Sequence, residues 1–303
     1  MDVRDLKVFA AVADAGVVTR AAARLNTVQS NVTARLHALE QELGVPLFIR
    51  HSRGMSLTAA GTHLQPYATK ILALVDEARH AVSDNGEPKG ILRLGSMETT
   101  AAVRIPPLLI SFTKHFPLID LNFYTDTSDE LVQDVLDRKL DGAFVTGPVS
   151  HRDLEAVVAF DEKLTIATSK QVQSLDQLIA SSDELRVLVF RQGCAYRRRL
   201  EAILSKRGVA RLKVLEFGTL EGILGCVAAG LGVTLLPTSV MRSGANLACH
   251  ALSTEEARIE TVFISRSGSY TCSPLAHFKR HIVESLTTPS MRAVRPARLF
   301  AIT

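Results

Sequence analysis

The segment "TRAAARLNTVQSNVTARLHALEQELG", residues 19–44, carries hydrogen-bonding side chains where a solvated helix would usually carry Lys and Glu. At helical spacing its polar face presents Gln29, Ser30, Thr33 and His37. Amide and hydroxyl groups donate to and accept from base edges in the DNA major groove. The alternative interpretation is a merely solvated helix face. Base contact is favoured only if neighbouring elements form a framework that presents this helix to a groove.

Three helices are predicted to form that framework. Apolar residues at helical spacing and a stop at Gly16 predict a first helix, and Thr19 is predicted to cap a short, alanine-rich second helix. The third helix has an apolar stripe opposite its polar face and ends at Gly44; the stripe comprises Val28, Val32, Leu36, Leu39 and Leu43. Two helices joined by a short turn behind a supporting helix predict a helix-turn-helix, whose second helix enters the major groove.

Arginines surround the predicted recognition helix. Residues 20–58 contain five Arg and no Lys, against two Glu. The stretch "VPLFIRHSRGMSLT" predicts a small hairpin, the wing, with basic residues at its tip. Arg20, Arg50 and Arg53 are predicted to contact phosphates rather than bases, because most protein–DNA contacts position the protein. Arg35 flanks the apolar stripe, so its role stays open.

A long helix is predicted from residue 58 to about residue 84, before the turn-forming linker "SDNGEPKG". It carries an apolar seam of Leu64, Tyr67, Ala68, Ile71, Leu74, Val75 and Ala78. The seam could pack onto the DNA-binding domain of its own chain. Its length favours pairing with a second copy of the chain instead.

Beyond the linker, predicted strands alternate with predicted helices, which favours an α/β domain with largely parallel sheets in two lobes around a cleft. Ligands in such folds lie beyond the carboxyl ends of strands. The hydroxyl residues that follow predicted strands are Ser96, Thr99, Thr100, Thr125, Thr127, Thr146 and Thr219. Each could contact an effector in the cleft or simply cap the next helix.

The stretch "FRQGCAYRRRLE" follows another predicted strand and opens a helix. Arg191 could hold a carboxylate together with backbone donors, whereas Glu98 would suit an amine. Cys194 lies beside arginines at a helix N-terminus, where a depressed pKa would make it a redox-sensing thiol. The effector is thus predicted to carry a carboxylate or an amine, and a thiol-based sensor is an alternative.

The residues from "LKVFAAVADAG" to "LFIRHSRGMSLTAAG" resemble the winged helix-turn-helix of the LysR-type transcriptional regulators, and "HFPLIDL" and "GLGVTLLP" resemble segments of that family's effector domain. The resemblance implies a winged helix-turn-helix at 1–58, a dimerising linker helix and hinge at 59–88, and a two-lobed periplasmic-binding-protein-like effector domain at 89–303. Lobe 1 is expected at about 89–160 and 267–287, lobe 2 at about 161–266, and a tail, rich in Pro and Arg and expected to be disordered, at 288–303.

The resemblance also implies a dimer of dimers on imperfect inverted repeats in promoter DNA, effector contacts in the turn from Ser96 to Thr100, and RNA polymerase as a further partner to consider. Two positions depart from the family pattern. Val28 stands where Ser or Thr is common, so the helix cap is expected to shift to Thr27. Ala34 replaces a common basic residue and could contact a thymine methyl group.

Bulk composition excludes several other classes of protein. The 303 residues have a net charge of +4 and only four cysteines without CxxC spacing, which favours free thiols in the cytoplasm. No signal peptide or membrane-spanning run is evident, and the chain contains no HExxH, GxSxG or P-loop. We therefore predict a DNA-binding regulator without cofactor, metal or catalysis. An architectural DNA-binding protein that takes no ligand is the alternative.

Overall fold

The computed structural model describes residues 1–52, 54–182, 184–242, 246–268 and 270–287. Arg53 and the predicted tail 288–303 lie outside the described residues. The chain divides into two compact units, one comprising Met1–Asn85 with Asp137–Lys139 and the other comprising Gly86–Leu136 with the chain from Leu140 onward. Across these described ranges, no helix combines the length and apolarity needed to cross a membrane.

The first unit contains four helices and one hairpin. They are α1 (Val3–Ala15), α2 (Val18–Arg24), α3 (Gln29–Leu43), β1 (Phe48–His51), β2 (Gly54–Leu57) and α4 (Ala59–Ser83). A capping box at Asp2 begins α1, and Gly16 ends it in the left-handed conformation. The apolar stripes meet in one core that includes Phe9, Val12, Leu36 and Phe48. The predicted helix-turn-helix and wing are therefore formed.

Both predicted hydroxyl caps are wrong. Thr19 lies inside α2, whose N-cap is Val17 without a side-chain hydrogen bond. The N-cap of α3 is Val28, which also makes no side-chain cap. The Thr27 hydroxyl instead accepts a hydrogen bond from the Asn31 side-chain amide at 2.9 Å. The tight turn through Asn26, with a φ of 50°, places Thr27 one residue too early to cap the helix.

The apolar seam of α4 divides into a covered part and an exposed part. Leu64, Ala68 and Ile71 pack into the core of the first unit. This part of the seam agrees with the alternative prediction, in which the helix packs onto the domain of its own chain. Tyr67, Leu74 and Val82 are 66%, 48% and 90% exposed. One face of α4 therefore packs against its own domain, and another face presents an exposed apolar stripe.

The second unit is built on a mixed sheet with the strand order β10-β6-β11-β5-β3-β4, in which β9 also pairs with β6. Its strands are β3 (Gly90–Ser96), β4 (Ile119–Thr125), β5 (Gly142–Thr146), β6 (Leu154–Ser169), β9 (Thr234–Pro237), β10 (Leu247–His250) and β11 (Arg258–Arg266). A separate parallel pair consists of β7 (Leu185–Phe190) and β8 (Leu212–Phe217). The helices are α5 (Glu98–Val103), α6 (Ile105–His115), α7 (Ser128–Leu136), α8 (Leu175–Ala180), α9 (Ala195–Lys206), α10 (Leu220–Ala228), α11 (Thr254–Ala257) and α12 (Ser273–Thr287).

The prediction of largely parallel sheets is only half right. β3 pairs in parallel with β4 and β5, but β11 is antiparallel to β5 and β6, and β6 is antiparallel to β9 and β10. The long strand β6 explains this, because its first part pairs with β11 in one lobe and its second part with β9 and β10 in the other. Pairing with β5 places residues 258–266 in the first lobe, whereas the sequence-based range put them in the second.

Two half-buried histidines make the stability of the second unit depend on pH. Burial lowers the pKa of His250 and of His281 below the ordinary value of 6.5, and the nearby His115 lowers that of His281 further. His250 contacts the Thr168 hydroxyl at 2.8 Å, and Nε2 of His281 is buried without a hydrogen-bond partner among the described residues. The unfolded chain therefore binds protons more readily than the folded chain, so stability falls as pH drops through 6.5.

We expect the melting temperature to fall between about pH 7.5 and about pH 5.5, above the range in which carboxylates titrate. Scanning calorimetry across this interval measures the effect. A His281→Gln variant should show a flatter profile than wild type, since it removes one of the two titrating groups. An unchanged slope in that variant would contradict the assignment.

Candidate DNA-binding surface and effector cavity

The N-terminal half of α3 presents the predicted contact residues on its exposed side. Gln29, Ser30, Ala34 and His37 are exposed. Thr33 is half-buried, and its hydroxyl donates to the Gln29 carbonyl at 3.0 Å. The residues on the opposite side, Val32, Leu36 and Leu39, are buried in the core. The helix therefore shows a mixed donor and acceptor face of the kind that base edges complement.

Two carboxylates hold the recognition helix in place, and sequence analysis did not single them out. Asp5 on α1 accepts a hydrogen bond from Arg35 at 2.9 Å, which resolves the open role of Arg35 in favour of positioning. Glu40 on α3 accepts from the backbone N–H groups of Leu47 and Phe48 at 2.7 and 3.3 Å. The second contact links α3 directly to the start of the hairpin. A carboxylate eight residues before a strand is too common a pattern to have signalled this role.

The hairpin after α3 has the predicted antiparallel form, with Arg50 opposite Met55 and His51 opposite Gly54. Arg50 and His51 are exposed, as is Arg20 on α2. The backbone N–H of Met55 donates to the Gly16 carbonyl at 2.8 Å, so the hairpin is fastened to the end of α1. These exposed basic groups are available for phosphate contacts.

In the second unit, a cavity of about 240 Å³ lies at the carboxyl ends of four strands, as the rule for parallel α/β folds predicts. The predicted residues that line it are Glu98, Thr99, Thr125, Thr127, Arg191 and Cys194. Tyr196, from the stretch that opens α9, lines it as well, whereas sequence analysis missed Met97, Asp126, Ser128, Phe190, Phe217 and Gly218. The missed residues are mostly apolar or lie one position from a predicted one, so a search for hydroxyl and charged residues passed over them.

Four predicted effector residues do not belong to the described lining of the cavity. Ser96 and Thr100 are buried, and the Ser96 hydroxyl donates to the Met97 carbonyl. The Thr146 hydroxyl donates to the Met97 sulfur at 3.1 Å. Thr219 caps α10 through the N–H of Gly222 at 3.2 Å, which is the helix-cap alternative. Ser96 and Thr146 contact Met97 of the cavity lining, whereas Thr219 is exposed and caps α10.

Three polar contacts join the two lobes around the cavity. Arg191 pairs with Asp126, and the Asp126 carboxylate raises the pKa of the Arg191 guanidinium. Arg198 binds Asp129 through two nitrogens at 2.6 and 3.2 Å. Glu98 accepts from the backbone N–H of Leu220, the first residue of α10, at 3.3 Å. In each of these contacts between the lobes, a carboxylate of the protein accepts a hydrogen bond from a guanidinium or a backbone N–H of the opposite lobe.

The thiol of Cys194 does not have the depressed pKa that its position predicted. Burial raises the pKa of Cys194, and this outweighs the opposing effect of the nearby Arg197 and Arg198. A neutral, half-buried thiol is a poor nucleophile toward oxidants. Burial also raises the pKa of Tyr196, which therefore stays protonated and offers a hydroxyl donor.

Two buried hydroxyls at the cavity lie near each other, and neither makes a hydrogen bond of good geometry within the described residues. They are the Tyr196 hydroxyl and Oγ1 of Thr99, and each residue is only 3% exposed. Tyr196 belongs to α9 in the second lobe, whereas Thr99 belongs to α5 in the first. Leaving a buried polar group unpaired costs about 1–3 kcal/mol. A bound polar group would relieve that cost.

Family sequence profiles match both units. Residues 3–62 match the bacterial regulatory helix-turn-helix protein, lysR family, and residues 85–287 match the LysR substrate binding domain. The second match alone covers most of the chain. The chain belongs to the LysR family of transcriptional regulators. It is thus a DNA-binding transcriptional regulator with a substrate-binding domain.

Curated relatives of this LysR-family regulator span nearly its whole length. It is 42% identical over 287 residues to the HTH-type transcriptional regulator CzcR of Bacillus cereus, covering 94% of this chain and 98% of CzcR. It is 40% identical over 288 residues to the HTH-type transcriptional regulator GltR of Bacillus subtilis, covering 93% and 96%. Both relatives are named as transcriptional regulators, and neither name describes an enzyme.

Solved structures of LysR-family regulators share the fold. CbnR, a LysR family transcriptional regulator, is 25% identical, with a TM-score of 0.67 and coverage of 94% of this chain and 99% of CbnR. Full-length CbnR complexed with the target DNA gives the same TM-score and identity. Two-domain LysR architecture therefore describes this regulator as well.

Proposed function

We propose that this regulator binds inverted repeats in promoter DNA through α3 and the wing, and that a small effector in the cavity changes those contacts. Gln29, Ser30, Thr33, Ala34 and His37 would meet base edges. Arg20, Arg50 and Arg53 would meet phosphates. The main support for this proposal is the exposed face at the start of α3. Its amide and hydroxyl side chains are suited to base edges in the major groove, whereas a helix that only faces solvent does not require them.

Pairing of two copies through α4 supports binding to inverted repeats, because a two-fold dimer matches two half-sites. The exposed stripe of Tyr67, Leu74 and Val82 would be covered in such a dimer. The proposed functional division is 1–58 for DNA binding, 59–88 for pairing and hinge, and 89–303 for effector binding. A dimer of dimers on promoter DNA, with RNA polymerase as a neighbour, extends this proposal.

Effector control would be a population shift. The effector must bind one arrangement of the assembled regulator more tightly than the other, because equal binding changes nothing. The contacts between the lobes, which include Arg191 with Asp126 and Arg198 with Asp129, are the elements that such a ligand would bias. Residues of the lining, including Glu98, Thr99 and Thr127, would meet the effector directly.

Removing two of the proposed base contacts together is expected to reduce sequence preference strongly. A Gln29→Ala/Thr33→Ala variant should lose about ten- to a hundredfold in affinity for the DNA flanking the regulator's own gene, and little for random duplex. Fluorescence anisotropy at two salt concentrations measures both affinities, because phosphate contacts show the steeper salt dependence.

The matched control is Gln41→Ala, which removes the same kind of side chain from the exposed far end of α3. It should leave both affinities unchanged. If wild type binds all duplexes with the same affinity, the proposal of sequence-specific promoter binding fails. The alternative of an architectural DNA-binding protein would then be favoured. The redox alternative is the weaker one, since burial raises the pKa of Cys194.

A further inference from the structure

We propose that the effector cavity selects a small amine, a cation with an apolar body, and rejects free carboxylates of the same size. This proposal rests on the proposed function of the cavity as the effector site. The preference for an amine is inferred by comparing two sets of polar groups in the lining: those already paired within the protein, and those that can still bind a ligand.

The charged donor and several backbone donors that would hold a carboxylate are occupied by the protein itself. The guanidinium of Arg191 pairs with Asp126. The first N–H of α10, on Leu220, donates to Glu98, and the N–H of Gly222 in the same turn donates to Thr219. At the start of α7, the N–H of Thr127 donates to Asp126 at 2.6 Å. An anionic ligand would have to displace an internal carboxylate at Arg191, Leu220 and Thr127, and the Thr219 hydroxyl at Gly222.

The negatively charged groups of the lining, in contrast, outnumber the positively charged ones. The described lining contains two carboxylates, Glu98 and Asp126, and one guanidinium, Arg191, so it has a net negative charge. A carboxylate has about four lone-pair sites, and the Leu220 N–H takes one site of Glu98. An ammonium group at Glu98 would therefore make a charge-assisted hydrogen bond and neutralise the lining.

The remaining surfaces define the body of the ligand. Met97, Phe190 and Phe217 supply apolar walls, and aromatic faces attract a nearby cation. The volume of about 240 Å³ is below the roughly 300–1,000 Å³ of sites for drug-sized molecules. The unpaired hydroxyls of Tyr196 and Thr99 offer a second polar contact on the same ligand. An amine with a small aromatic or branched body and one further polar atom fits all three features.

The test compares two probes of similar size and opposite charge, benzylamine and benzoate, on the full-length regulator. Thermal shift and isothermal titration calorimetry at millimolar probe concentration measure binding. We expect benzylamine to raise the melting temperature and benzoate to leave it unchanged. Glu98→Gln should weaken benzylamine binding at least about tenfold, the loss of one charge-assisted hydrogen bond.

The matched control is Glu221→Gln, an exposed glutamate in the first turn of α10 that lies outside the described lining of the cavity. It should bind benzylamine like wild type. Stabilisation by benzoate that disappears in Arg191→Ala would overturn the amine assignment and leave the cavity as an effector site. If neither probe binds while DNA binding is intact, both the amine assignment and the proposed effector role of this cavity are rejected.

Discussion

Replacing Glu162 with alanine is expected to lower the free energy of unfolding of the substrate-binding domain by about 3–5 kcal/mol. Glu162 is 6% exposed and accepts from Arg104 Nε at 2.7 Å and from the Ser239 hydroxyl at 3.1 Å. Arg104 lies at the junction of α5 and α6 and places its guanidinium over the Phe160 ring at 5.7 Å. Removing the carboxylate would leave a largely buried guanidinium without its partner, which is the costly part of the change.

Urea unfolding of the full chain, followed by circular dichroism, measures this loss. Asp161→Asn is the matched control, because Asp161 is the preceding residue and makes only an exposed ion pair with Arg258 at 3.5 Å. That control should cost less than about 1 kcal/mol. A double variant, Arg104→Met/Glu162→Leu, should recover part of the loss, since it removes both charges. Equal effects of Glu162→Ala and Asp161→Asn would show that the buried pair contributes little.

Substituting Gly54 with alanine should unfold or severely weaken the DNA-binding domain. Gly54 has a φ of 138°, and a Cβ there would lie 2.3 Å from the backbone oxygen of Gly16. That oxygen also accepts the hydrogen bond from Met55 that fastens the hairpin to α1, so it is not free to move away. Backbone strain and overpacking together are expected to cost about 3 kcal/mol or more.

Thermal unfolding and DNA binding measured on the same preparation test this prediction. Gly44→Ala is the control, since Gly44 also has a positive φ, of 71°, but a Cβ there would meet nothing within 4 Å. The control should cost about 1–2 kcal/mol from backbone strain alone. A Gly54→Ala protein that melts like Gly44→Ala would mean that the hairpin can shift away from α1 without penalty.

The DNA-binding half was largely predictable because its signals are local. Helical periodicity gave the stripe of α1 and the centre of the α3 stripe correctly, and Gly16 and Gly44 marked the helix ends. The two ends of the predicted α3 stripe were wrong, because Val28 and Leu43 are 65% and 39% exposed. The hydroxyl caps were mispredicted at Thr19 and Thr27, since a cap depends on backbone angles in a tight turn as well as on residue type. Arg35 could not be assigned from spacing, because its partner Asp5 lies thirty residues away.

The effector half was predictable in its strands and helices and less so in their arrangement. Alternating strands favour parallel pairing, yet β11 returns antiparallel between β5 and β6, a pairing set by contacts more than ninety residues apart in the chain. Six predicted residues line the cavity because strand ends converge there by topology. Asp126 was missed, since only the assembled lobes show that it forms an ion pair with Arg191. The burial of Tyr196 could likewise be seen only in the folded domain.

By itself, the sequence determined the order of elements, the polar face of α3 and the membership of the family, because each of these depends on short-range spacing or on matching residues in register. The tertiary structure decided which charges are available. Arg191 and Glu98 look like free ligand-binding groups in the sequence, but folding brings Asp126 and Leu220 to them across the cleft. The chemistry of a site depends on what its groups already bind, and that depends on contacts between residues distant in the chain.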